Sequence, residues 1–203
     1  MQQPFQITGS AGRIEGIAHL PAAAPRAIAL VAHPLPTAGG TMDNKVVTTL
    51  AKAYAELGFV ALRFNFRGTG ASEGQFEGGD GETEDAIAVV EYARREYGAL
   101  PLVLSGFSFG GYVQARAAQH LRPQRLALVA PAVGRFAMPQ VASDTLLIHG
   151  DCDEVVPLSD LLEWARPQQL SVVVLAGAGH FFHGRLEQIR QVVLREFQGA
   201  LPV

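Results

Sequence analysis

Short apolar runs recur along the chain, each closed by Gly, Pro, His or an acid. They are AIALVAHP (27–34), FVALRFNFRG (59–68), LPLVLSGFS (100–108), RLALVAP (125–131), TLLIHGD (145–151) and SVVVLAGAGH (171–180). Each has the length of a strand and lacks polar alternation, so both faces are apolar, as in a strand buried inside a parallel sheet. Between them the apolar spacing turns helical over Met42–Leu57, Glu82–Tyr97 (with Asp80 as its expected N-cap), Phe109–His120, Leu158–Arg166 and Gly184–Phe197. The first 20 residues differ. FQITG and RIEGIAHL, split by Ser10–Gly12, read as an antiparallel hairpin leading into the sheet. The whole pattern predicts an α/β fold, with a mostly parallel central sheet of about eight strands and helices on both faces.

Composition narrows the setting. At 203 residues, one domain spanning 1–203 is expected, with enough chain to bury a core unaided by metals or disulfides. Net charge is −3 and lysine is confined to Lys45 and Lys52, so neither a nucleic-acid nor a membrane partner is expected. The uncharged stretches 97–115 and 167–184 are broken by Gly, Pro or His and do not read as membrane spans. The start, MQQPFQITGS, does not read as a leader. Cys152 stands alone, which fits a reducing compartment, and a cytoplasmic protein is expected.

The chemistry gathers in loops after strands, where such sheets place ligands. Gly106-Phe107-Ser108-Phe109-Gly110 fits G-x-S-x-G between a strand and a helix. The spacing is steric: a serine held on a strained turn projects its hydroxyl, and small residues on either side let strand and helix close around it. Such a nucleophile needs a base, and the base needs an orienting carboxylate. Acids follow the next-to-last apolar run, in HGDCDEVVP (149–157), and histidines follow the last, in GAGHFFHG (177–184). Reach across to the base favours Asp153 over Asp151, which reads as a turn residue. His180, directly after the strand, is favoured over His183, which reads as a helix-start or surface residue. His149 reads as structural, and His19 and His120 have no motif around them. In HPLPTAGGTMDNKVV (33–47), Leu35 lies between two prolines that lack N–H groups. The backbone N–H groups of Leu35 and Phe109 are the candidate oxyanion donors. Arg67 and Asp85 read as a structural pair. GTGASEG (68–74) fails the dinucleotide pattern because residue 73 is Glu, and no zinc spacing occurs. No cofactor or metal is called for.

Taken together these motifs resemble the α/β-hydrolase family over nearly the whole chain. GFSFGG resembles its nucleophile elbow. NFRGTGAS (65–72) resembles its D-x-R-G-x-G-x-S turn, with Asn65 in place of Asp. HGDCDEVVP resembles its acid loop, which implies Asp153 as the acid, and GAGHFF its histidine loop, which implies His180. HPLPTAGGTMDNKVV is similar to small bacterial relatives of dienelactone hydrolase, a group that typically lacks a lid. That enzyme uses a cysteine nucleophile where this chain has Ser108, so its particular chemistry is not implied, and Cys152 is read as incidental. The resemblance implies a serine hydrolase of small carboxylic esters. A thioesterase, an amidase or peptidase, or an acyltransferase would use the same residues, and a non-catalytic binding protein is the reading from another class. The dozen residues AVGRFAMPQVAS (132–143) leave no room for a helical cap, so an open site is expected. Leu35, Phe76, Phe136, Met138, Phe181 and Phe182 are its candidate lining, suited to an apolar acyl or alcohol group.

Overall fold

The computed structural model describes residues 1–199; positions 200–203 of the expected domain lie outside the described residues. Eight strands form one sheet: β1 (Gln2–Gly9), β2 (Gly12–His19), β3 (Ala27–Ala32), β4 (Phe59–Phe64), β5 (Leu102–Phe107), β6 (Arg125–Val129), β7 (Leu146–Gly150) and β8 (Val172–Leu175). Their order is β1-β2-β4-β3-β5-β6-β7-β8. The β1–β2 and β2–β4 pairs are antiparallel, as the expected hairpin requires, and all later pairs are parallel.

Five helices cover the sheet: α1 (Lys45–Glu56), α2 (Asp80–Tyr97), α3 (Phe109–Leu121), α4 (Leu158–Ala165) and α5 (Leu186–Phe197). Alternate residues of β3 feed two cores. Ile28, Leu30 and Ala32 share one with residues of α2, α3 and α4, while Ala27, Ala29 and Val31 share the other with α1 and α5. The chain passes from β3 to β4 on one side and then returns to β5 on the other. Strand order therefore reverses between β3 and β5, and the crevice beyond their carboxyl ends is where such sheets bind ligands. The β6–β7 connection, residues 130–145, holds no helix, so no lid covers that end.

Several boundaries differ from the expected ones for local reasons. α1 begins at Lys45 rather than Met42 because the Asn44 side chain accepts the Val46 N–H at 2.9 Å and caps it. α2 is capped at Gly79, not Asp80: the Glu82 carboxylate reaches back to the N–H groups of Gly79 (2.7 Å) and Glu77 (2.9 Å). Asp80 lies in the first turn, where the helix dipole favours an acid. β8 is not buried on both faces, since the sheet ends there and Val174 is 43% exposed.

Polar groups brace the amino-terminal side of the sheet. Arg67 is 3% exposed at its side chain and binds Asp85 through Nη2 (2.9 Å) and Nε (3.2 Å), while Asp85 also accepts the Arg67 N–H at 2.8 Å. Glu77 and Glu84 reach the same guanidinium from the surface. Asn65 donates to Glu15 Oε1 (2.7 Å) and accepts the Met42 N–H (2.8 Å). An aspartate there could not donate and would set a second carboxylate against Glu15, which accounts for the departure from the family's usual residue.

Removing Asp85 strips Arg67 of its buried partner, leaves the guanidinium only the exposed carboxylates of Glu77 and Glu84, and orphans the Arg67 N–H. Asp85→Ala should therefore lower the unfolding free energy by about 3 kcal/mol or more. Glu84→Ala, at an exposed partner of the same arginine, should cost about 1 kcal/mol or less. Urea denaturation of the two variants measures the contrast.

Candidate active site

Ser108 occupies the turn between β5 and α3 with φ 55° and ψ −118°, a left-handed conformation that non-glycine residues rarely adopt. Its surroundings enforce it. Ser108 N–H donates to Val129 O at 2.9 Å, and Ser108 O accepts from Gly111 (2.9 Å), Tyr112 (3.3 Å) and Ala132 (3.3 Å). A Cβ on Gly106 would lie 2.2 Å from Gly110 O, and one on Gly110 2.4 Å from Ala32 O. Both glycines are thus demanded by packing.

The candidate base and acid arrive from the loops after β8 and β7. His180 Nε2 lies 3.0 Å from Ser108 Oγ, and His180 Nδ1 lies 2.7 Å from Asp153 Oδ2. With Asp153 ionised, Nδ1–H donates to it and Nε2 is left to accept the serine hydroxyl. The other oxygen, Asp153 Oδ1, accepts the N–H groups of Val155 (2.9 Å) and Val156 (2.7 Å). Burial by itself would raise the Asp153 carboxyl. The hydrogen bonds from His180, Val156 and Val155 outweigh it and hold the group below the usual carboxylate range.

The competing candidates fall elsewhere. Asp151 accepts the Gly177 N–H at 2.6 Å and ties the acid loop to the histidine loop. His183 is exposed and precedes α5. His149 is buried, with Nε2–H donating to Val156 O at 2.9 Å and standing 3.5 Å from Asp153 Oδ2. It pins the turn that aims Asp153, and burial lowers its own pKa.

The loop after β3 is shaped by a residue that sequence reasoning passed over. His33 is fully buried; its Nε2 accepts the Phe66 N–H at 3.1 Å, so Nδ1–H donates to Pro34 O at 2.7 Å. Leu35 O in turn accepts from Ala38 (3.1 Å) and Gly40 (3.0 Å). With both neighbouring carbonyls engaged, the Leu35 peptide is held in one orientation. Among the described residues, neither Leu35 N–H nor Phe109 N–H donates to a protein acceptor. Two backbone donors thus remain available beside the serine, as developing negative charge on a substrate oxygen would require.

These groups line one cleft of about 180 Å³. Leu35, Phe109, Phe136 and Phe181 line it with Ser108 and His180. Three expected lining residues do not. Phe182 is fully buried and packs against Phe107 in the core under α1 and α5. Phe76 turns inward onto Phe109, and Met138 packs against the opposite core. Apolarity alone does not distinguish a rim aromatic from a core one. Asn44, Val155 and Arg135 line the cleft and were missed. A signal existed for one of them: Arg135 is the sole charged residue in 132–143.

Comparison with known proteins gives this geometry its family. Residues 23–143 match the family model described as serine aminopeptidase, S33. The lidless α/β serine hydrolase XC6422 of Xanthomonas campestris is 39% identical, with a TM-score of 0.95 over 100% of this chain and 96% of that one. This chain belongs to the α/β-hydrolase superfamily. An α/β serine hydrolase homologue from Coxiella burnetii is similar to this hydrolase at 40% identity and a TM-score of 0.88, covering 96% and 97% of the two chains. The Rickettsia prowazekii protein RP471, itself uncharacterised, is 32% identical over 92% of this hydrolase and 85% of its own length.

Burial pushes His33 down to about 4. Burial, then the Arg63 guanidinium whose Nε–H it accepts at 2.9 Å, push His19 down to about 4 as well. Both are neutral in the folded hydrolase while their unfolded counterparts protonate near 6.5. The unfolded chain therefore binds more protons between these values, and stability is full above pH 6.5 and drains as pH falls toward 4. Each group adds a slope of up to about 1.4 kcal/mol per pH unit. Denaturation midpoints across that range should fall accordingly, and His19→Gln, which can still accept from Arg63, should make the decline shallower.

Proposed function

We propose that this hydrolase cleaves small carboxylic esters through an acyl-enzyme formed on Ser108. The observation that carries the reading is the continuous chain Ser108 Oγ–His180 Nε2 (3.0 Å) and His180 Nδ1–Asp153 Oδ2 (2.7 Å) beside two unused backbone N–H groups. Ser108 Oγ attacks the ester carbonyl while His180 Nε2 takes its proton. The carbonyl oxygen, now an oxyanion, is held by Leu35 and Phe109 N–H. Asp153 keeps His180 in the required tautomer and stabilises its imidazolium. His180 gives the proton to the leaving alcohol, then activates water to release the acid. The cleft volume of about 180 Å³ suits short acyl or alcohol chains, with Phe136 and Phe181 as apolar walls. The lone Cys152 fits a cytoplasmic location.

A second reading comes from the matched family description, serine aminopeptidase. An aminopeptidase must hold a substrate ammonium group, which calls for carboxylates at the cleft. Among the described residues the cleft lining contains no Asp or Glu, and its fixed charge is the cation Arg135. The lining thus favours the ester reading.

Treatment with a fluorophosphonate should add one adduct to the wild type, seen in intact mass, and none to Ser108→Ala. Ester turnover should fall by roughly 10⁴-fold in that variant with the fold retained. An ester, thioester and amide panel completes the test. Amide rates exceeding ester rates would install the peptidase reading, and no adduct on folded wild type would remove the nucleophile assignment.

A further inference from the structure

The cleft carries one permanent charge that the ester mechanism does not use. The arginines bracing the fold are paired: Arg13, Arg63, Arg67, Arg116, Arg125 and Arg190 each meet a carboxylate. Arg135 meets none among the described residues; its Nε donates to Val155 O at 3.2 Å, and the nearby Asp160 accepts the Ser159 hydroxyl through Oδ1 at 3.1 Å and forms no ion pair with Arg135. The Nε bond leaves both terminal NH₂ groups without a protein acceptor among the described residues. Arg135 is also tied to the nucleophile through the backbone. Ala132 N–H donates to Ser108 O (3.3 Å), and Ala132 O accepts from Arg135 (3.3 Å) and Phe136 (3.2 Å).

We infer that Arg135 is a specificity-determining residue that receives a carboxylate on the substrate, so that the preferred esters carry a free carboxylate a short chain away from the bond cleaved. The inference rests on the ester reading above. A planar fork with two free donors at the edge of the cleft matches a carboxylate bidentately. A neutral ester would leave this cation with only solvent as partner.

The test compares each carboxylate-bearing ester with its carboxamide isostere. One series places the charge on the acyl side, as monoethyl succinate, glutarate and adipate. The other places it on the alcohol side, as the acetyl esters of glycolate and 3-hydroxypropanoate. In at least one series the wild type should show a carboxylate-to-carboxamide ratio of kcat/KM of about tenfold or more. The ratio should fall to about one in Arg135→Gln and be partly kept in Arg135→Lys, which retains a point charge without the fork. A wild-type ratio near one in both series, or a ratio unchanged in Arg135→Gln, overturns the inference. Calorimetric binding of the same pairs to Ser108→Ala, with and without Arg135→Gln, reads the subsite independently of turnover. Arg135-dependent preference there without any ester cleavage by the wild type would sink the ester reading and sustain the subsite. Carboxamide ester cleavage without carboxylate preference would do the reverse.

Discussion

Where α3 starts, Gly110 passes so close to the end of β3 that an added methyl would lie 2.4 Å from Ala32 O and 2.6 Å from His33 O. The rest of the site is referenced to that approach. It presses the first turn of α3 against the His33–Leu35 loop, so the serine and the Leu35 N–H share one cleft. It also leaves Ser108 no relaxed backbone conformation. A left-handed non-glycine residue costs on the order of 1–3 kcal/mol, and the four hydrogen bonds made by the Ser108 peptide groups to Val129, Gly111, Tyr112 and Ala132 hold it there. A large core under both faces of the sheet supplies the rigidity against which this local cost is borne.

Charge is rationed in the interior with a clear division of labour. Histidines under the loops are neutral and take different parts: His33 bridges Phe66 N–H and Pro34 O, His149 Nε2–H donates to Val156 O beside Asp153, and His19 accepts from Arg63. Of the buried carboxylates, Asp85 is held by Arg67, whereas Asp153 is held by two backbone N–H groups and one imidazole. Polar groups fixed in this way need little reorientation when a charge changes beside them.

Strand and helix alternation was legible because six apolar runs and their Gly or Pro ends obey simple periodicities. The elbow was legible because its glycines answer to steric demand within a five-residue window. Ser108, Asp153 and His180 were ordered by loop position, and the structure brings those three together within hydrogen-bond reach. What escaped was set at long range. Whether Phe182 or Phe181 faces the cleft depends on a left-handed residue in the histidine loop, Phe182 at φ 51°, and no local pattern announces it. The role of His33 requires Phe66, 33 residues away, to supply its N–H. β8 reads as a buried strand from its valines, yet its exposure follows from being last in the sheet.

The bare connection between β6 and β7 also bears on time. In hydrolases with a mobile cap, opening and closing on the microsecond-to-millisecond scale can govern turnover. Here no such element exists among the described residues, and the Phe136 and Ala132 side of the cleft is tied by backbone bonds to the serine itself. Entry to the cleft therefore requires no helical cap to move aside. With no cap over it among the described residues, what a ligand meets is the cleft lining itself, Phe136, Phe181 and Arg135 included.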